Sequence, residues 1–144
     1  MAKSFIEIKK LFFDKTPITK EMDRKTLRTL AKFGAFQRKT AQQSMRTKKG
    51  ASPPGSPPHA HGNKYLRKFY FFVVDKKQKN VVAGPVRLSK YSNIHLPKVL
   101  EGGGIIAKKT RQGKPKIANH PARPYTGPAA KKHLGSIAEW YKLA

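Results

Sequence analysis

The sequence predicts an α+β fold: a long N-terminal amphipathic helix and a C-terminal helix packed on a small antiparallel β-sheet, with a Pro-rich extended loop between them. Three observations carry this. A helical apolar stripe runs through the region before residue 46, two runs rich in Phe, Tyr and Val flank a short polar stretch, and a Pro-rich segment admits neither helix nor central strand. A chain of 144 residues fits one domain of the usual size, about 100–200 residues. We divide it into 1–16 (N-terminal strand or arm), 17–47 (long helix), 48–63 (Pro-rich loop), 64–123 (antiparallel sheet with an inserted short helix and a basic loop) and 124–144 (C-terminal helix).

Phe5-Ile6-Glu7-Ile8 alternates as a short strand, and Leu11, Phe12 and Phe13 extend the apolar run to a break between Asp14 and Pro17. Thr16 followed by Pro17 reads as an N-cap and first helical turn, with Glu21 and Asp23 near the positive end of the helix dipole. From there Leu27, Leu30, Ala31, Gly34, Ala41 and Met45 recur at spacings of three, four and seven, and Phe33 and Phe36 widen the stripe. A helix reaching Arg46 would be roughly 45 Å long at about 1.5 Å per residue. That exceeds what the chain's own core requires, so part of it is expected to pack on a neighbouring subunit.

Between Lys48 and Gly62 the prolines Pro53, Pro54, Pro57 and Pro58 remove backbone donors and impose extended geometry. This segment is either a flexible linker or an arm laid on another subunit, since a stiff extended segment loses little entropy on docking. Leu66 to Val74 and Val81 to Leu88 then form an antiparallel hairpin across Asp75–Asn80. Gly84-Pro85 marks a bulge or an edge position, leaving a sheet edge open to a partner. Pro97 to Glu101 reads as one helical turn stopped by Gly102-Gly103-Gly104, after which Ile105 to Ala107 resumes as strand before a basic loop over 108–116. The terminal helix follows Pro124-Tyr125-Thr126-Gly127-Pro128, with Leu134, Ile137, Ala138 and Tyr141 on one face.

Charge dominates the composition. With 32 Lys+Arg against 7 Asp+Glu the formal charge is +25, a field that repels copies of the chain and attracts polyanions. It is spread along the body, +10 over 1–50, +8 over 51–100 and +7 over 101–144, so there is no separate basic tail. Lysine supplies 24 of the positive charges, which favours sequence-independent phosphate attraction over the bidentate base readout of Arg. The strongest candidates for contact with DNA or an acidic partner are Lys48, Lys49, Lys108, Lys109, Arg111, Lys114 and Lys116. Phe69 to Phe72 lacks the pattern of an RNA-stacking strand and reads as core.

Other chemistries find little to work with. There is no cysteine, which removes disulfides, thiolate metal sites and thiol nucleophiles. His59 and His61 are the only closely spaced histidines, and the acids are too scattered to complete a metal site with them. No serine sits in a nucleophile elbow and the glycines lack phosphate-cradle spacing. We therefore expect no catalytic residues, no cofactor and no metal. Neither a signal-peptide core nor 18 consecutive apolar residues is present, so no membrane span is expected.

Four motifs occur in a fixed order after the basic helix: Ser52-Pro53-Pro54-Gly55-Ser56-Pro57-Pro58 before a Leu66-initiated strand, Val81-Val82-Ala83-Gly84-Pro85, Leu100-Glu101-Gly102-Gly103, and Ala122-Arg123-Pro124-Tyr125-Thr126-Gly127-Pro128-Ala129. In this the chain, over about residues 20 to 140, resembles the minor virion proteins of tailed phages placed at the neck or in tail completion, in lambdoid-type siphophages. Gly104 departs from the usual bulky or polar residue after the acidic-glycine motif. The resemblance implies a structural α+β subunit, assembled in the host cytoplasm into a ring of its own copies at the head–tail junction or tail. Implied partners are other neck, portal-side or tail proteins and packaged double-stranded DNA. Its candidate subunit-interface residues are Pro53, Pro54, Pro57, Pro58, Gly84, Pro85, Glu101, Arg123 and Pro124. Glu101 is expected beside a Lys or Arg, and Arg123, held extended by Pro124, at a subunit contact. A sequence-independent nucleic-acid-binding protein of ribosomal or chromatin type is the alternative that the charge alone supports.

Overall fold

The computed structural model describes residues 15–60, 65–86, 96–109 and 115–144. The strand expected over 5–8 lies outside them, as do Arg111 and Lys114. The elements are α1 (Thr16–Ser44), α2 (Tyr65–Lys68), β1 (Tyr70–Asp75), β2 (Asn80–Pro85), α3 (Leu96–Gly102), β3 (Gly104–Lys109), β4 (Pro115–His120), α4 (Thr126–Leu134) and α5 (Ile137–Lys142). This is the predicted α+β class, with long N-terminal helix, C-terminal helices and small antiparallel sheets.

Helix α1 spans 29 residues, about 43 Å. Pro17 lies in its first turn, but Thr16 is already helical and Lys15, whose side chain has no acceptor to offer the free amides, occupies the cap position. Thr29, Phe33, Gln37, Ala41 and Met45, each four residues from the next, are all buried. Four residues advance about 400° around a helix, so this stripe winds slowly and meets different elements along its length. Near its middle Gly34 admits hairpin β1–β2: a Cβ there would lie 2.5 Å from Phe72 Cδ2 and 2.9 Å from Val81 Cγ2. Towards its C-terminal end Ala41 and Met45 join Tyr70, Tyr125 and Ala129 in the core, with Leu66, Ala83 and Leu100 packed around them. Its first turns are different: residues 15–20 are exposed, and Ile18 and Met22 are about half accessible.

The single sheet expected over 64–123 is two separate hairpins, because β1 pairs only with β2 and β3 only with β4. Leu66 to Lys68, read as the start of a strand, instead belong to a helical turn, Tyr65–Lys68, tied to α1 where Gln42 Nε2 donates to Arg67 O at 2.8 Å. In the first hairpin Asp75 Oδ1 accepts from the amides of Lys77 and Gln78, and Lys79 takes φ 51°, closing a four-residue connection. There is no bulge at Gly84-Pro85. The register runs unbroken to Tyr70↔Pro85, and Val86 N donates to Phe69 O. Ladder bonds alternate along an antiparallel pair, so Pro85 falls at a non-bonded position and its missing donor lies on the open edge.

Of the stretch read as a basic loop over 108–116, the described residues Lys108, Lys109, Pro115 and Lys116 are strand, with Lys108↔Lys116 and Lys109↔Pro115 in register at the end of the second hairpin. The terminal helix is broken by Gly135-Ser136 into α4 and α5. The break rotates the expected apolar face out of line, and Leu134 is 54% exposed. Contact with α1 instead runs through Phe36, which stacks on Trp140 with ring centroids 5.1 Å apart, and through Thr40 Oγ1, 2.7 Å from His133 Nε2.

Candidate subunit and nucleic-acid interface

Three of the four sequence motifs meet at one junction. Glu101, at the end of α3, accepts hydrogen bonds from the amides of Tyr125 (3.0 Å), Thr126 (3.0 Å) and Gly127 (2.7 Å). Its carboxylate caps the first turn of α4, where unpaired amides and the helix dipole both favour an anion. Among the described residues, backbone donors and no Lys or Arg pair with Glu101. Beside it Arg123 N donates to Leu100 O at 2.6 Å. Gly103, at φ 74°, lets the chain pass the 120–122 backbone, since a Cβ there would meet Ala122 N at 3.0 Å and His120 O at 3.1 Å. From the other side Arg123 Nε donates to Ser52 O at 2.9 Å and Gly55 N to Ala122 O at 2.8 Å.

Those last bonds correct the reading of the Pro-rich segment. Between 51 and 60 it is not a free linker. It is seated on its own chain, with Ser52, Pro58 and Ala60 buried and Pro53 and Pro54 exposed. Arg123, expected at a subunit contact, has its Nε engaged within the chain, and Pro124 is half-buried next to it.

Beneath the junction Tyr70 and Tyr125 are fully buried and meet edge to face at 6.1 Å. Their hydroxyls have no well-aligned partner among the described residues. Burial pushes the Tyr125 phenol well above the usual range, and the charges of Glu101 and Tyr70 add to this. Burial also raises Tyr70, partly offset by the nearby Thr126 and Gln37 side chains, while Glu101 raises it further.

The candidate cations among the described residues come from two separate places in the fold. Lys48 and Lys49 are exposed after α1, whereas Lys108, Lys109 and Lys116 occupy the far end of the second hairpin. Lys48 does join Pro53 and Pro57, together with Arg46, Ser56 and His59, in the wall of a cleft of about 530 Å³ between the end of α1 and the Pro-rich segment. Among the described residues every ionisable side chain lining it is basic. Sequence reasoning missed Arg46, Ser56 and His59 as a group; no spacing signals them, because the fold of the Pro-rich segment brings them together. Among the described residues no cluster of three His, Cys, Asp or Glu is placed to hold a metal, and no helix is long and apolar enough to cross a membrane.

Both hairpins turn an apolar face outward. On the first, Val73 and Val82 pair across the strands and are 67% and 68% exposed, beside Phe71 and opposite Gly84. On the second, Ile105 and Ile117 are each 72% exposed and share a face with Ala107 and Asn119. The fold and this surface define a small basic α+β protein with two open-edged hairpins. Compared with protein families, curated proteins and solved structures, the chain matches none.

Proposed function

We propose that the chain is a non-enzymatic structural subunit of a tailed-phage particle, part of a ring of its own copies in the neck, head–tail connection or tail-completion region around the DNA passage. The observation that carries this reading is the pair of outward apolar hairpin faces on a chain of charge +25. Contiguous exposed apolar surface marks an interaction site. On so basic a chain, faces built mainly of apolar side chains are where two copies meet with least repulsion. Convergence of the Ser52, Leu100-Glu101 and Ala122-Arg123 motifs on one junction supports it further: the residues that bear the resemblance build a single structural unit. The exposed first turns of α1 offer additional surface to a neighbour. DNA passing through the ring, and acidic portal-side or tail proteins above and below it, would balance the charge.

The test is to purify intact particles and locate the chain by mass spectrometry and cryo-electron microscopy. A low, ring-like copy number at the head–tail junction or tail is expected. Absence from particles, with co-purification on cellular DNA or RNA, refutes the virion role and selects the ribosomal or chromatin-like alternative, which the cationic cleft also favours.

A further inference from the structure

We infer that the cleft between the C-terminal end of α1 and the Pro-rich segment is a phosphate-binding site that grips the backbone of double-stranded DNA. The inference deepens the proposed virion role by naming the surface that faces DNA, and it rests on that role only for where DNA is met.

The walls of the cleft come from two elements fixed to each other. Arg46 and Lys48 follow α1, and the residue between them and the helix, Met45, is fully buried in the core. Ser56, Pro57 and His59 come from the Pro-rich segment. Ala60 N donates to Arg46 O at 2.9 Å, joining the two walls directly, and Gly55 N to Ala122 O and Arg123 Nε to Ser52 O hold the segment from behind. Gly50 and Gly55 make the turns at φ 87° and 77°. The backbone frame of the site is therefore set before any ligand arrives, which lowers the entropic cost of binding.

Its chemistry suits phosphate. Arg, Lys and Ser side chains are the usual donors to phosphate oxygens, and among the described residues no carboxylate lines the cleft. His59 Nδ1 lies 3.2 Å from Gly50 O; a carbonyl only accepts, so Nδ1 carries the proton and the ring is held in one orientation. Pro53 and Pro57 supply apolar wall without an aromatic plane, which fits a sugar–phosphate backbone and offers no base a stacking surface. Binding independent of sequence follows. An acidic peptide would need an extended run of cations, whereas these groups converge on one cleft.

The test is fluorescence-anisotropy binding of the full chain to a mixed-sequence duplex over a range of salt. Arg46→Gln/Lys48→Gln is compared with Lys131→Gln/Lys132→Gln, which removes the same charge from the exposed face of α4. The cleft pair is expected to lower affinity about 50-fold near 0.1 M salt and to reduce the slope of log affinity against log salt by about 2, as the loss of two phosphate contacts requires. The α4 pair should change affinity only a few-fold. Ser56→Glu, which places a carboxylate on the opposite wall, should weaken binding comparably to the cleft pair. Equal effects of the two lysine- or arginine-removing pairs, or wild-type binding by Ser56→Glu, overturn the proposal. So does a polyglutamate peptide that senses the cleft variants while DNA does not. Loss of the DNA site with the chain still in particles would defeat this inference alone; a DNA site on a chain absent from particles would defeat the virion role alone.

Discussion

Replacing Glu101 tests the junction most directly. Its carboxylate receives three amides of the first turn of α4 at 2.7–3.0 Å. A single lost helix cap costs up to about 2 kcal/mol, and hydrogen bonds to charged groups contribute about 1.5–3 kcal/mol each but do not add. Because Glu101 is half-buried, water recovers part of the loss. Glu101→Ala should therefore destabilise the fold by about 3 kcal/mol. Glu101→Gln keeps one acceptor but turns an amide group towards the helix, and should cost about half as much, roughly 1.5 kcal/mol. For a chain of this length Glu101→Ala corresponds to a fall in Tm of about 10 °C. Urea unfolding followed by circular dichroism measures both, and the m-value should stay at the wild-type figure. If both variants lie within about 0.5 kcal/mol of wild type, the effect of an ordinary surface change, the carboxylate is not what holds α4.

Gly34→Ala places a Cβ against Phe72 and Val81; overpacking should exceed the gain in helix propensity and destabilise by about 1–2 kcal/mol, whereas a stabilised variant would show that the hairpin can retreat. Arg123→Lys loses the Nε donor to Ser52 O and should speed amide exchange in residues 51–60 with the α1 amides unchanged; uniform protection would refute this anchor. Thr29 is buried with an unpartnered hydroxyl, so Thr29→Val should be neutral or stabilising by up to about 1 kcal/mol in a urea melt, and a loss above about 1 kcal/mol would reveal a hydrogen bond at that site. Above pH about 10 the unfolded chain releases tyrosine protons that folded Tyr70 and Tyr125 retain. Stability from these groups is complete below that pH and declines as pH rises through it. Lysine titration is common to wild type and Tyr125→Phe, so the variant should gain on wild type above pH about 10; a constant difference would contradict the raised phenol.

The order of elements was legible because periodicity and turn chemistry are local. Leu27 to Met45 marked α1, Asp75 to Asn80 the first turn, and Gly102 to Gly104 the end of α3. Burial was less legible. Thr29 and Gln37 occupy the innermost stripe although both are polar, while Phe36 is partly exposed under Trp140; a hydrophobicity pattern cannot report a tertiary partner. Two strands were drawn into the wrong context for the same reason: nothing local says that β3–β4 stays apart from β1–β2. Glu101 and Arg123 stood out by type and position, but their partners, the amides of α4 and the carbonyl of Ser52, lie 24–26 and 71 residues away. The cleft was invisible in the sequence because Arg46 and His59 face each other only after the prolines between them have turned.

Glu101 also dictates an order of events during folding. Helix α4 draws its cap from a residue on the far side of hairpin β3–β4, so its first turn is secured only once that hairpin has closed and returned the chain to α3. Ala41 and Met45 wait on the same step, since Tyr125 and Ala129 cover them. Until residues 120–129 settle, α1 and the Pro-rich segment lack their lid, and the core contacts of Ala41 and Met45 with Tyr125 and Ala129 are distant in sequence, a kind of contact that slows folding. Core, cleft and C-terminal helices are consequently expected to appear together and late, leaving no early intermediate with a finished binding surface.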